Sequence, residues 1–260
     1  MKLGIVQGRL LKPIDGRIQE FPKHHWVKEF NYIDNMGLNH IEWVITRKSF
    51  DEGVLNLNIK SLNNKISSIT CDNLITEKSL TDFTFLSKEL RPICEWAVMN
   101  EIKCISFPLL EESKLTNNNK QLFFDLIKPY SLVFPELEFH FEMESDWGIA
   151  MELVSLANNF YLIYDTGNMT SCKFKHEEWL ANCIDFIKNV HIKDRTINPI
   201  ETVEPLTGDT DFELIFNKLN ELKYEGLFTL QLARGEEGKE IETTIKHIEI
   251  FKKIYEEKFI

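Results

Sequence analysis

Eight short apolar or β-branched runs, separated mostly by stretches of helical periodicity, constrain this 260-residue chain more than any other feature. They are Lys2 to Gln7, His40 to Val44, Lys65 to Cys71, Ile102 to Phe107, Leu137 to Met143, Tyr161 to Asp165, Val190 to Ile192 and Leu227 to Leu232. Runs this short, bounded by turn-forming or charged residues, read as buried strands. Helical spacing fills most of the intervals. Trp26, Phe30, Ile33 and Met36 recur at helical spacing before Gly37, a natural C-cap. Leu86 to Met99, Gln121 to Leu132, Trp147 to Ala157, Glu177 to Ile187, the stretch capped by Asp211, and Glu240 to Glu256 follow the same rule. Pro92 marks a start or a kink, and Pro108 is expected to stop the fourth strand. Residues 199–210 read as a loop.

Strands that alternate with helices imply a parallel sheet with helical crossovers. Eight repeats predict an α/β fold closed into a (β/α)8 TIM barrel, a size that 260 residues fit. No composition break divides the chain, so residues 1–260 read as a single domain. The alternative is an open doubly wound sheet. That fold usually carries a glycine-rich phosphate turn after its first strand, and Gln7-Gly8-Arg9-Leu10-Leu11 is not one.

Charge narrows the function. A formal net charge of -11 argues against a general binder of nucleic-acid backbones, which needs a basic face. No apolar run approaches the length of a membrane span. The first residues lack the pattern of a signal peptide. Five cysteines without a CxxC pair leave no disulfide framework or zinc knuckle, so a reducing cytoplasm is the expected location.

In parallel α/β barrels, sites are built at the carboxyl ends of the strands. Reading off those ends collects Gln7 and Arg9, Glu42 and Trp43, Asp72, Pro108, Glu142 and Glu144, Asp165 and Asn168, His191, Lys193 and Asp194, then Gln231 and Arg234. Carboxylates, an imidazole and an amide form a mixed oxygen and nitrogen set. It suits one divalent ion such as Mn, Mg, Co or Zn. Gln7, Arg9, Glu42, Trp43, Asp72, Asn168, Arg195 and Arg234 are the candidates for contacting a substrate. For Trp43, packing at the barrel rim is the alternative.

At Phe141-Glu-Met-Glu144-Ser-Asp146, Asp165-Thr-Gly167, Val190-His-Ile-Lys-Asp194-Arg195 and Lys223-Tyr-Glu-Gly226, the chain resembles the xylose-isomerase-like TIM barrels, the sugar phosphate isomerase and epimerase superfamily. The resemblance implies a metal held by Glu144, Asp165, His191 and Gln231. Either Glu142 or Glu144 can supply the ligand from the fifth strand; Glu144, at the strand end, is the expected one. Glu144 or Lys193 would move the proton. Two residues depart from the pattern: Gln231 replaces the last carboxylate, and Asn168 stands where many relatives carry a histidine. An amide cannot accept a proton, so two-base epimerisation loses one base.

The expected activity is a metal-dependent isomerase or epimerase acting on a sugar, sugar phosphate or related hydroxy-keto compound through an enediolate. A lyase or dehydratase with a single base, or a barrel that binds carbohydrate without turnover, are the alternatives. Abasic-site endonucleases share the barrel, but need more histidines and a basic face. The small-molecule partner is expected to be anionic. Five of the six arginines follow strand ends, and Arg9 and Arg234 follow strands one and eight, which adjoin when a barrel closes. Neither a nucleic acid nor a membrane is an expected partner; a homo-oligomer is compatible with the sequence.

Overall fold

The computed structural model describes residues 1–259. Ten strands occur among them: β1 (Lys2–Val6), β2 (His40–Val44), β3 (Ile66–Thr70), β4 (Cys104–Leu109), β5 (Glu138–Met143), β6 (Phe160–Asp165), β7 (Ile187–Ile192), β8 (Arg195–Ile197), β9 (Ile200–Thr202) and β10 (Leu227–Leu230). Eight form a closed barrel in the order β1-β10-β7-β6-β5-β4-β3-β2, while β8 and β9 make a separate antiparallel pair. The (β/α)8 barrel expected from the alternation is the fold observed. By internal contacts the chain divides into two compact units, residues 1–39 with 164 onward, and residues 40–163.

Within residues 40–163, strand alternation sends one set of side chains against the helices. Trp43 of β2 packs on Trp96 of the helix Phe83–Met99, with ring centroids 5.9 Å apart. Phe107 of β4 and Phe141 of β5 both pack on Phe123 of the helix Lys120–Val133. The opposite set is polar and buried: Glu42, Ser68, Thr70, Ser106, His140 and Glu142. One proline departs from expectation. Pro108 lies inside β4, opposite Glu142 in the register with β5. It gives up one ladder donor, and the strand runs one residue past it. Pro92 lies inside its helix, within the expected helical span.

In the other unit, β1 pairs with β10 and β10 with β7, all parallel. Phe228 of β10 stacks on Phe216 of the helix Phe212–Glu221, and Tyr164 of β6 packs on Trp179 of the helix His176–Cys183. Phe251 of the helix Glu240–Phe259 meets Phe212. The helix expected over Glu177–Ile187 stops at Cys183, and a 3-10 turn brings Ile187 into β7 instead. The stretch expected as a loop after β7 holds β9 of the β8–β9 hairpin.

Candidate metal centre

Parity decides which side chains leave the strands on the polar side. On β6, Tyr164 faces Trp179, so Asp165 faces the other way. Its carboxylate caps a short helix, Thr166–Ser171, through a hydrogen bond from the Asn168 N–H to Oδ1 at 2.7 Å. On β7, His191 shares its side with Asn189, whose Oδ1 accepts from Thr229 Oγ1 at 3.0 Å. Thr229 stands opposite His191 in the register, so Gln231, two residues on, shares that side. Asp165, His191 and Gln231 are 1%, 0% and 6% exposed, a degree of burial that polar groups sustain only with partners.

On β5, Glu142 is the carboxylate that groups with Asp165 and His191 as a set that could hold a metal ion. Donor atoms of Glu142, Asp165 and His191 all lie within 4.8 Å of one another. Glu142 and Glu144 have the same parity, so alternation does not separate them. The strand end does: β5 stops at Met143, and Glu144 Oε2 accepts the Glu111 N–H at 3.3 Å. Glu142 is 2% exposed, while Glu144 is half-buried.

Lys193 stands at the same place. Its Nζ lies 3.0 Å from Asp165 Oδ2 and 3.4 Å from Asn168 Oδ1. Burial pushes the Asp165 carboxyl up, but Lys193, His191, the Asn168 N–H and Arg195 outweigh it and hold the group below its ordinary range. Asp165 is therefore a carboxylate at neutral pH. Gln231 donates from Nε2 to Gln19 Oε1 at 3.5 Å, and its buried Oε1 has no hydrogen-bond partner among the described residues. Two carboxylates, an imidazole and an open amide oxygen are hard and borderline donors, which fit one divalent ion of the Mg, Mn, Co or Zn kind.

No family model and no curated protein matches this chain. Solved structures do. A zinc-bound structure of the IOLI protein superposes with a TM-score of 0.77 at 16% identity, covering 100% of this chain and 99% of that one. What this chain shares with these structures is the closed (β/α)8 barrel fold. A 3-keto-D-glucoside 4-epimerase, YcjR, from E. coli matches at 0.68 and 16% identity, over 97% of this chain and 99% of its own. A xylose isomerase-like TIM barrel protein from Mycobacterium smegmatis in complex with magnesium matches at 0.65 and 14% identity, over 99% and 97%.

On this barrel the other candidate residues have varied settings. Gln7 and Asn168 are fully buried. Glu42 is buried too, and its Oε1 accepts from Thr70 Oγ1 at 2.5 Å. Asp72 opens a 3-10 turn after β3 and is half-buried. Trp43 is fully buried and packs on Trp96, on the side of β2 away from Glu42. Arg195 reaches Ser171 Oγ at 3.3 Å. Asp194 accepts the backbone N–H groups of Thr207, Gly208 and Thr210, and so fixes the loop after β9.

Arg9 and Arg234 depart furthest from expectation. Arg234 donates Nε to Ile18 O, Nη1 to Leu11 O and Nη2 to Gly8 O. Arg9 donates Nη1 to Leu232 O at 2.5 Å and Nη2 to Gln19 Oε1 at 3.4 Å. Both tie down the segment after β1, and each Arg234 nitrogen is already directed at a carbonyl. The pair clasps the loop after β1. Sequence reading also passed over Glu29, whose Oε1 accepts the Gly8 and Leu10 N–H groups at 2.8 and 3.3 Å. The signal was there: Glu29 lies three residues after Trp26 and four before Ile33, on the apolar stripe of its helix.

Proposed function

We propose that this protein is a metal-dependent isomerase or epimerase acting on a small carbohydrate or a related hydroxy-keto compound. One observation carries the reading. The donor atoms of Glu142, Asp165 and His191 converge within 4.8 Å, on a fold shared with sugar epimerases. Gln231, whose buried amide oxygen has no hydrogen-bond partner among the described residues, is the proposed fourth ligand. A divalent ion held there would polarise a carbonyl and the neighbouring hydroxyl, acidifying the intervening C–H bond.

The chain's own groups divide the remaining work. Asp165 and Glu142 offer anionic oxygens, and His191 a ring nitrogen. Lys193 Nζ is the proton-transfer group of the site, since the Gln231 amide cannot take a proton. Glu144, the other candidate for this role, is turned to the Glu111 amide. Gln7, Asn168 and Glu42 supply buried polar atoms for hydroxyl groups. One acid–base residue is enough to remove a proton from carbon and return it to the neighbouring carbon on the same face. It also serves the elimination of water, and the amide at position 231 therefore favours a lyase or dehydratase as the second reading.

The test is proton exchange. The protein, reconstituted in turn with Mn, Co, Zn and Mg, is incubated with ketoses, their phosphates and keto-glycosides in deuterated water. Deuterium at the carbon beside the carbonyl, dependent on metal and lost in Glu142→Gln, supports the reading. No exchange and no product with any substrate–metal pair would sink it.

A further inference from the structure

Asp165 has two oxygens, and they are used differently. Oδ1 caps the Thr166–Ser171 helix through the Asn168 N–H. Oδ2 is the oxygen left for a cation, and Lys193 Nζ already lies 3.0 Å from it. This contact is built, not incidental. The Thr166 hydroxyl accepts the Lys193 N–H at 2.9 Å and donates to the Lys193 carbonyl at 2.6 Å, so the backbone that carries the lysine is held from both sides. The lysine stem passes over Gly167, where a β-carbon would sit 2.8 Å from Lys193 Cγ and 3.1 Å from its Cβ. Only glycine leaves that path open. Lys193 is 7% exposed and Asp165 1%, so water does little to screen the pair.

We propose that Lys193 is a resident cation of the metal centre: it neutralises Asp165 in the metal-free protein, and a divalent ion binds by displacing it. The inference rests on the metal reading above and adds an exchange to it. With the ammonium in place, a divalent ion would add two charges to a buried site whose two carboxylates are already half neutralised. The surplus positive charge is relieved when the flexible lysine swings away. Metal-free protein is thereby spared a bare buried carboxylate, and metal affinity is lowered by the same competition. Gln231 acts in the same direction, because a neutral amide gives a divalent ion less charge than a carboxylate would.

Lys193→Met keeps the length of the stem and removes the charge. Titration calorimetry of chelator-treated protein with Mn2+ and Zn2+ is expected to give a dissociation constant at least about tenfold lower than wild type. Thermal unfolding of the metal-free variant is expected at a lower temperature than wild type, with saturating Mn2+ restoring more of it than it adds to wild type. Lys193→Arg, which keeps the charge, should stay near wild-type affinity. Gly167→Ala pushes the stem aside without touching a donor, and should move affinity in the same direction by less; it serves if Lys193→Met fails to fold. Equal or weaker metal binding in both Lys193→Met and Gly167→Ala, with wild-type binding intact, overturns the exchange and leaves the metal centre standing. No binding of either ion by any of these proteins overturns both.

Discussion

Arg234, four residues past the end of β10, donates from Nη2 to the carbonyl of Gly8, at the turn after β1, at 2.5 Å. Gly8 has φ +87°, and a β-carbon there would lie 2.4 Å from Glu20 O, so the turn admits no side chain. Nε and Nη1 of the same guanidinium reach Ile18 and Leu11. Arg234→Met should therefore loosen the segment from Gly8 to Glu20. Removing hydrogen bonds to a charged group should lower stability by about 1.5–3 kcal/mol. Urea unfolding measures the loss, and limited proteolysis should cut first within this segment. Calorimetric metal affinity should stay close to wild type. If affinity for phosphate were what changed, the clasp would be the wrong description.

Glu29 predicts an unusual pH dependence. Burial pushes its carboxyl up to about 8, against the Gly8 and Leu10 N–H groups and Arg234, which pull it down. The folded chain thus keeps a proton that the unfolded chain releases near 4.5. Between those two values folding takes up a proton, so this group's contribution to stability is full below about pH 4.5 and is lost as pH rises towards 8. Glu29→Gln keeps an acceptor for Gly8 and cannot ionise. Urea midpoints measured from pH 5 to 9 should fall less steeply in the variant, which should be the more stable protein at pH 8. A parallel fall in both proteins would assign the dependence to other groups.

Much of this fold was legible because strand and helix periods differ. The eight barrel strands were readable from short apolar runs, and Asp165 and His191 from the way two of those runs end. What the sequence hid has physical causes. Glu142 and Glu144 share a parity, and only the end of β5 and the Glu111 amide tell them apart. Arg9 and Arg234 both bind the segment after β1 or its neighbours, and most of their donors meet backbone carbonyls, which no side-chain pattern announces. Pro108 looked like a strand end because a missing donor is visible in sequence, whereas the register that tolerates it is not.

The choice between the two glutamates is open to direct measurement. Glu142→Gln removes one of three converging donors and should weaken Mn2+ binding by at least about tenfold. Glu144→Gln should leave it nearly unchanged, because that carboxylate faces the Glu111 amide. Calorimetry on the two variants decides it. The reverse outcome would move the ligand to the residue beyond the strand.

Gln231 offers the most informative substitution. Its Oε1 is buried with no hydrogen-bond partner among the described residues, and its side is that of His191 and Asn189. Gln231→Glu changes one atom of the side chain and adds a charge to the site. A carboxylate oxygen should bind a divalent ion more tightly than an amide, by about tenfold. It also gives the site a second group able to take a proton. In the metal-free protein the new carboxylate has no dedicated cation, so the variant should unfold at a lower temperature than wild type and gain more from added Mn2+. These effects separate a ligand from a mere neighbour. If Gln231 only supports Gln19, the substitution costs stability in both the metal-free and the metal-loaded protein and leaves affinity where it was. If it faces the ion, the stability cost disappears on loading. Deuterium incorporation with inversion at the carbon beside the substrate carbonyl, gained by Gln231→Glu, would further show that position 231 faces the reacting carbon.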